Sequence, residues 1–414
     1  REPAPMDLAW LLAPTLPDAF FAQYWERQPL ILRRSRPEYF RGLLSLTALE
    51  QALAKQTRQY PEVMLKDASR ELDAADYTSD GVTLDLRRVY ELFAAGATIS
   101  VAFLDTVWPP LGALCRALES DWTCPFQANV YLTPPAAQGA KPHYDTHDVF
   151  VLQVEGSKQW RLFGSPLPVP LAGQEFDPGQ HALGPVTAEF EMHAGDVAYI
   201  PRGVAHEARA TRELSLHITL GALRYTWADA LLEMVAAACI ADPAFRYSLP
   251  RDFARADTSA GAAAQLRALL HRIATEGPAE AALSTLRADF LASRPPDLPG
   301  QLEQIAALPR LQGASRIQRR PGAEVSVRQE SDDGVILSGN RTIRLPAYAL
   351  PAAARALAGA AVRVAELPGL DADGQLTLAR RLIREGLLVQ IVPAAATDPP
   401  PSAPLAPTAA HGVI

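Results

Sequence analysis

The sequence predicts a mixed α and β protein centred on a small antiparallel barrel or jelly roll, and three observations lead there. Residues 127–220 are a series of short β-branched and aromatic segments separated by Gly, Pro and Asp. Alanine- and leucine-rich stretches with helical spacing flank that series. The 414 residues, 48% of them hydrophobic, suffice to bury a large core and to divide into two or three domains.

Taken in order, residues 1–95 read as a lead of short helices packing on the barrel. Apolar residues at helical spacing occur at Leu8, Leu11 and Leu12, at Phe20, Phe21 and Trp25, and over 44–53, with a strand at 28–33. A helix opens within 82–93 and ends near Gly96, and a β-rich run follows at 98–104. The barrel domain is expected over 96–224. Its strands are 128–132, 149–155, 158–163, 188–193, 197–200, 204–208 and 214–220, with a hairpin turn at Glu155-Gly-Ser-Lys158. Residues 225–300 return to helices, at 227–240, 262–274 and 279–292, and end in a proline-rich joint. So apolar a block should either cover the barrel or pair with a second subunit. Residues 301–392 carry a helix, two strands near 325–328 and 334–339, two further helical stretches and a last strand at 387–392, the order of a winged-helix-like module. Residues 393–414, rich in proline, should be disordered.

Composition narrows the function. Lys and Arg number 39 against 46 Asp and Glu, a net charge of −7, which disfavours a surface that neutralises many phosphates. Basic residues in the last module pair up only at Arg319-Arg320 and Arg380-Arg381, so packing or protein contact is expected there rather than DNA binding. No apolar run reaches the roughly 20 residues that span a bilayer, and the start, Arg1-Glu-Pro-Ala-Pro, has no positively charged segment leading into an apolar one. A cytoplasmic location is the expectation. Cys115, Cys124 and Cys239 are too scattered for a disulfide framework and read as small buried hydrophobes. Lysine occurs only at Lys55, Lys66, Lys141 and Lys158, so each is more informative than usual.

The chemistry concentrates in Lys141-Pro-His-Tyr-Asp145 and Gly195-Asp-Val-Ala-Tyr-Ile-Pro-Arg-Gly-Val-Ala-His206. If His143 and Asp145 share a strand, their spacing of two puts both side chains on one face. His206, after a Pro201 and Gly203 turn, supplies a second imidazole. Two imidazoles and one carboxylate leave three coordination positions open, the arrangement of iron(II) oxygenases, whereas zinc more often takes four tight ligands. Lys158 shares a face with Trp160 and Leu162 and should point into the barrel, where an unpaired ammonium is costly. The distal carboxylate of an iron-chelating 2-oxoglutarate would answer it, and iron, Asp145, cosubstrate and Lys158 then sum to zero charge. His147 is expected at the pocket rim. His193 and His217 read as core histidines in strands, while Ser215, His217 and Thr219 share a face, so one reaching the pocket brings the others close. His181, His271 and His411 read as surface residues.

These stretches resemble a known family. Gln127-Ala-Asn-Val-Tyr-Leu-Thr-Pro-Pro135, His143-Tyr-Asp145, Val149-Phe-Val-Leu-Gln-Val-Glu-Gly-Ser-Lys-Gln-Trp-Arg-Leu-Phe163, the His206 motif and Phe21-Ala-Gln-Tyr-Trp-Glu-Arg-Gln-Pro-Leu-Ile-Leu32 are similar to the JmjC oxygenases of the ribosomal oxygenase group. The resemblance implies a double-stranded β-helix of the cupin type, a helical dimerisation block and a winged-helix-like module. It implies a protein hydroxylase dependent on Fe(II), 2-oxoglutarate and O2, with a ribosomal protein as substrate. By position it places the metal ligands on His143, Asp145 and His206 and the cosubstrate cation on Lys158. Asn129 and Tyr131 then line the cosubstrate and substrate pocket. Bacterial arginine hydroxylases of the family resemble one another in having Arg at the position of Lys158, and eukaryotic histidine hydroxylases have Lys, so His and Arg both stand as targets. Two alternatives remain: a hydroxylase of a ribosomally made biosynthetic peptide, and a catalytically silent cupin acting as a binding or scaffold module.

Overall fold

The computed structural model describes residues 6–391 apart from 56, 57, 252, 254–258, 295 and 331. The expected tail at 393–414, with His411, lies outside the described residues. The chain forms two compact units, 1–294 and 295–414.

In chain order the first unit comprises α1 (Leu8–Leu12), α2 (Pro17–Gln23), β1 (Leu30–Leu32), α3 (Leu46–Ala54), β2 (Val63–Lys66), α4 (Leu86–Ala94), β3 (Thr98–Val101) and α5 (Pro109–Trp122). The barrel strands follow: β4 (Phe126–Thr133), β5 (Asp148–Glu155), β6 (Ser157–Phe163), β7 (Val186–His193), β8 (Val197–Ile200), β9 (His206–Ala210) and β10 (Ser215–Ala222). Three helices close the unit, α6 (Trp227–Ala241), α7 (Ser259–Glu276) and α8 (Ala279–Ala292).

Two antiparallel sheets make the jelly roll. The larger runs β1-β8-β5-β10-β4-β3-β2 and the smaller β7-β6-β9. Alternation along β4 shows how the larger sheet serves two purposes. Phe126, Ala128, Val130 and Leu132 enter the main core with residues of the N-terminal helices. Tyr131 and Thr133 take the opposite face, toward the smaller sheet. There Val149, Val151, Trp160, Leu162, Met192 and Ile200 form a second core. β10 is buried at every position because it is hydrogen-bonded on both sides, to β4 and β5. The β5–β6 turn requires glycine: Gly156 has φ +64°, and a Cβ there would lie 1.7 Å from the Leu214 carbonyl oxygen.

The seven expected barrel strands all form, with shifted ends. The turn through Pro201 and Gly203 persists further than expected, so β9 begins at His206 instead of residue 204. The expected 98–104 run ends at Val101, and α4 starts at Leu86 because Asp85 accepts the Arg87 and Arg88 N–H groups as its cap. β2 and α5 were not foreseen: Val63-Met-Leu-Lys66 has no apolar-polar alternation, and α5 opens on two prolines, which suit a first helical turn.

The second unit holds α9 (Gln301–Ala307), α10 (Leu350–Leu357) and α11 (Ala372–Arg384), with three-stranded sheets β15-β11-β16 and β12-β13-β14. The strands are β11 (Arg316–Arg319), β12 (Ser326–Glu330), β13 (Asp333–Ser338), β14 (Arg341–Pro346), β15 (Val362–Arg363) and β16 (Leu388–Ile391). Its own core includes Ile317, Ile336, Ile343, Leu382 and Leu388. Among the described residues no helix is long and apolar enough to cross a membrane.

Candidate metal centre

His143, Asp145 and His206 converge, but not by strand alternation. β5 begins only at Asp148, and His143 and Asp145 lie in the segment leading to it. What joins them is a backbone bridge: the His143 N–H donates to the His206 carbonyl at 3.1 Å, and the His206 N–H donates back at 2.8 Å. His143 thereby extends the smaller sheet. Asp145 is pinned in turn, its carbonyl accepting the Gly203 N–H at 3.0 Å. Gly203 has φ +82°, and a Cβ there would meet the Leu167 carbonyl oxygen at 2.2 Å. The glycine of the His206 motif thus lets the turn fold tightly enough to hold the carboxylate.

The donor atoms of the three side chains lie within 4.8 Å of one another, with His206 Nε2 3.7 Å from Asp145 Oδ2. Each imidazole is oriented through its other nitrogen. His143 Nδ1 is 2.8 Å from the Lys141 carbonyl oxygen, and His206 Nδ1 is 3.1 Å from that of Val204. Protonation of Nδ1 for those bonds leaves both Nε2 lone pairs facing the cluster. Burial and the neighbouring His143 hold the His206 imidazole below its ordinary pKa, hence neutral. Burial pushes the Asp145 carboxyl up, but His206, His147, His143 and Lys66 outweigh it, so the carboxylate stays ionised. A neutral His206 imidazole and the Asp145 carboxylate are in ligating form.

The triad opens into a cavity lined also by Lys66, Tyr131, Lys158, Trp160, His217 and Thr219. Lys158 is 4% exposed, and its Nζ donates to Thr133 Oγ1 at 3.0 Å. Among the described residues it has no carboxylate partner, and burial lowers its pKa to about 7. The expectation that its ammonium points inward, lacking an anion, therefore holds in the structure. Tyr131 stacks on His217 with ring centroids 4.9 Å apart, and burial followed by the Asp145 charge pushes its phenol up to about 12. His217 is buried, and burial followed by the Lys158 charge holds it well below its ordinary pKa. His217 Nδ1 and Trp160 Nε1 are both buried, with no hydrogen-bond partner among the described residues.

Asn129 lies two residues before Tyr131 on the same face, opposite Thr219. Its Oδ1 accepts the Phe103 N–H at 3.1 Å, and it is not among the residues lining the cavity. His147 is likewise outside that lining and packs against the backbone of Gly221, where a Cβ would fall 2.7 Å from its ring. His193 differs from expectation. Phe190 and Met192 take the inner face of β7, which leaves His193 on the solvent side. His181 is half-buried rather than on the surface, packed against Tyr144 and Phe176. Cys115 and Cys124 are buried and Cys239 half-buried. The sequence reading missed Lys66, which lines the cavity at the end of unforeseen β2; the scarcity of lysine was the available signal.

At the start of β5 lies a second charged cluster. Asp148 is fully buried and receives the Tyr199 hydroxyl at 2.7 Å, the Arg202 guanidinium at 3.3 Å and the Arg224 guanidinium. Glu26 pairs with both arginines.

A jelly roll carrying two histidines and an aspartate at one opening defines a class. The family model described as JmjC domain matches residues 107–230. The more particular likeness is to ribosomal oxygenases. The chain is 35% identical over 257 residues to ribosomal oxygenase 1 of Homo sapiens, covering 59% of this chain and 39% of that protein. It is 29% identical over 358 residues to the bifunctional lysine-specific demethylase and histidyl-hydroxylase NO66 of Aedes aegypti, covering 81% of this chain and 54% of that protein. The chain thus spans about half or less of the length of these relatives. Its fold is that of Escherichia coli YcfD, a ribosomal oxygenase solved in complex with cobalt and 2-oxoglutarate: TM-score 0.52, 18% identity, covering 91% of this chain and 98% of that one.

Proposed function

We propose that this protein is an Fe(II)- and 2-oxoglutarate-dependent oxygenase that hydroxylates a protein side chain, with a ribosomal protein as substrate. One observation carries the reading: a buried ammonium without an anion, Lys158, lines the same cavity as a three-donor cluster. Such an ammonium is tolerated where a ligand's charge completes it. The relatives' names and the cobalt and 2-oxoglutarate bound to YcfD support the same assignment.

In this reading His143, Asp145 and His206 hold the metal through His Nε2 atoms and an Asp145 oxygen. Three protein donors suit iron(II) with room for exchangeable ligands. Lys158 binds the distal carboxylate of 2-oxoglutarate, and Thr133 aims its Nζ. Iron and 2-oxoglutarate together supply the oxidising power that inserts one atom of O2 into a C–H bond. The chain's remaining task is placement. Trp160, Val149 and Val151 exclude water from the cavity, while Tyr131, Thr219 and His217 shape the side toward the larger sheet. Asn129 and His147 lie outside the cavity lining.

The helical block supplies a dimer interface in this reading: Trp227, Leu231, Leu232 and Ile240 of α6 are 57–83% exposed, too apolar a face to leave in water. The 301–392 module serves as a winged-helix-like packing element with no nucleic-acid duty. Free cysteines fit a reducing cytoplasm.

Mass spectrometry of ribosomal proteins from cells with and without the gene tests the substrate. A gain of about 16 Da, one oxygen, that depends on the gene is expected. Turnover of 2-oxoglutarate with no ribosomal change would move the assignment to a biosynthetic peptide. No turnover with iron present would leave a silent scaffold.

A further inference from the structure

Tyr144 stands between two residues of the triad and turns the other way. His143 and Asp145 line the cavity, whereas Tyr144, 3% exposed, is buried on the outer side of the same segment. What covers it is the connection between β6 and β7, residues 164–185, which has neither helix nor strand. A structureless connection of that length is uncommon in a compact fold and usually has a task.

The connection grips the triad-bearing backbone at two points. Its second half holds Tyr144. The hydroxyl donates to the Gln174 carbonyl at 2.9 Å and to that of Glu175 at 3.3 Å, and the Phe176 and His181 rings meet the phenol edge-on, with centroids 5.3 and 5.4 Å away. His181 is itself fixed, its Nδ1 accepting the Asp177 N–H at 3.1 Å. The first half presses on the turn that pins Asp145: a Cβ at Gly203 would lie 2.2 Å from the Leu167 carbonyl oxygen and 2.8 Å from Pro170 Cδ. Between Leu167 and Pro170, Val169 has φ +45°, a left-handed conformation that a β-branched residue keeps only where its surroundings enforce it. Hydrogen bonds to His206 and Gly203 thus fix the His143–Asp145 backbone from the barrel side, and Tyr144 fixes it from outside. Groups that orient metal ligands without touching the ion ordinarily change its affinity by about 10–100-fold.

Resting on the reading of the triad as a metal centre, we propose that Tyr144 is a positioning residue: it locks the His143–Asp145 backbone to residues 171–181, so that the order of that segment and the grip on the ion are coupled. Such coupling is reciprocal. A bound ion quietens the segment, and loosening the segment weakens the ion.

Cobalt(II) is the probe, added to the full-length metal-free protein. Its dissociation constant is read by competition with a chelator, its geometry by visible absorption, and the segment by amide hydrogen exchange. Tyr144→Leu should weaken cobalt binding by about tenfold or more and alter the absorption bands. Tyr144→Phe keeps the ring and loses the hydroxyl, so it should cost about threefold. Phe176→Ala, made on the far side of the phenol from the triad, should act in the same direction as Tyr144→Leu. Cobalt should slow exchange over 171–181 in the wild type and not in Tyr144→Leu. A packing role alone would lower the melting temperature and leave these readouts in place. Cobalt affinity that moves less than about twofold in Tyr144→Leu and Phe176→Ala, or wild-type exchange over 171–181 that ignores cobalt, overturns the proposal. If Tyr144→Leu does not fold, Tyr144→Phe and Phe176→Ala decide. A wild type that binds no cobalt overturns the metal-centre reading as well, and so is told apart.

Discussion

Asp145 and Asp148 are three residues apart and stand in opposite circumstances. Asp148 is enclosed and saturated, with Tyr199, Arg202 and Arg224 on its oxygens. Asp145 keeps part of its surface open to the cavity and has two histidines as its neighbours in the triad. Their basic counterparts divide the same way. Arg202 and Arg224 are paired with carboxylates, whereas among the described residues the buried Lys158 has only the Thr133 hydroxyl. Where the protein needs rigidity it completes its charges internally. Where it binds ligands it leaves them incomplete, and that incompleteness reveals the site.

Exchanging the two aspartates' fates is the sharpest way to break this contrast. Asp145→Ala should lower succinate production by more than the roughly 100-fold typical of outer metal-site residues, with little change in the melting temperature of the metal-free protein. Asp148→Ala should act on stability instead. It leaves the buried Arg202 and the half-buried Arg224 short of a partner, and chemical denaturation should show a loss of about 3–5 kcal/mol. If Asp145→Ala unfolds the protein while Asp148→Ala does not, the comparison is wrong.

Lys158→Met should have opposite effects on the two states. The KM for 2-oxoglutarate should rise by roughly 30-fold or more, as for truncation within a buried charge pair. The ligand-free protein should become more stable, because the variant removes an ammonium that burial disfavours. The sign follows from proton counting. Between about pH 7, the folded value, and 10.5, the ordinary one, the unfolded chain binds more protons, so wild-type stability rises with pH across that window. The gain from Lys158→Met is therefore largest below pH 7. Calorimetry of 2-oxoglutarate binding in buffers of different ionisation enthalpy should show proton uptake at pH 8, since the dianion favours charged Lys158. No uptake at that pH would remove Lys158 from the cosubstrate site.

Thr133→Val, the smallest change, preserves shape and deletes the one hydroxyl that Lys158 reaches. A rise of about tenfold in the same KM is expected, the lower end of the worth of a hydrogen bond to a charged group. An unchanged KM would mean that Thr133 does not aim the ammonium.

Much of the site was legible because its residues carry chemistry in their spacing. The triad and the inward Lys158 could be read from two short motifs, and the barrel from turn residues between β-branched runs. What escaped was long-range. His143 and Asp145 are aligned by a bridge to His206 and by the Gly203 N–H, contacts that no local period encodes. Lys66 escaped for the same reason, since β2 has no alternation to announce it and gains meaning only beside β3. His193 was misassigned because strand parity depends on where the inner face begins, and Phe190 and Met192 set that phase.

The reciprocal hydrogen bonds between His143 and His206 tie together residues 63 positions apart in the chain. An ion gripped by both rings would therefore act as a rivet across the seam between the β5 lead-in and β9. Unzipping that seam and releasing the ion become one event, so heat resistance should climb with the free concentration of whichever divalent cation the cluster prefers.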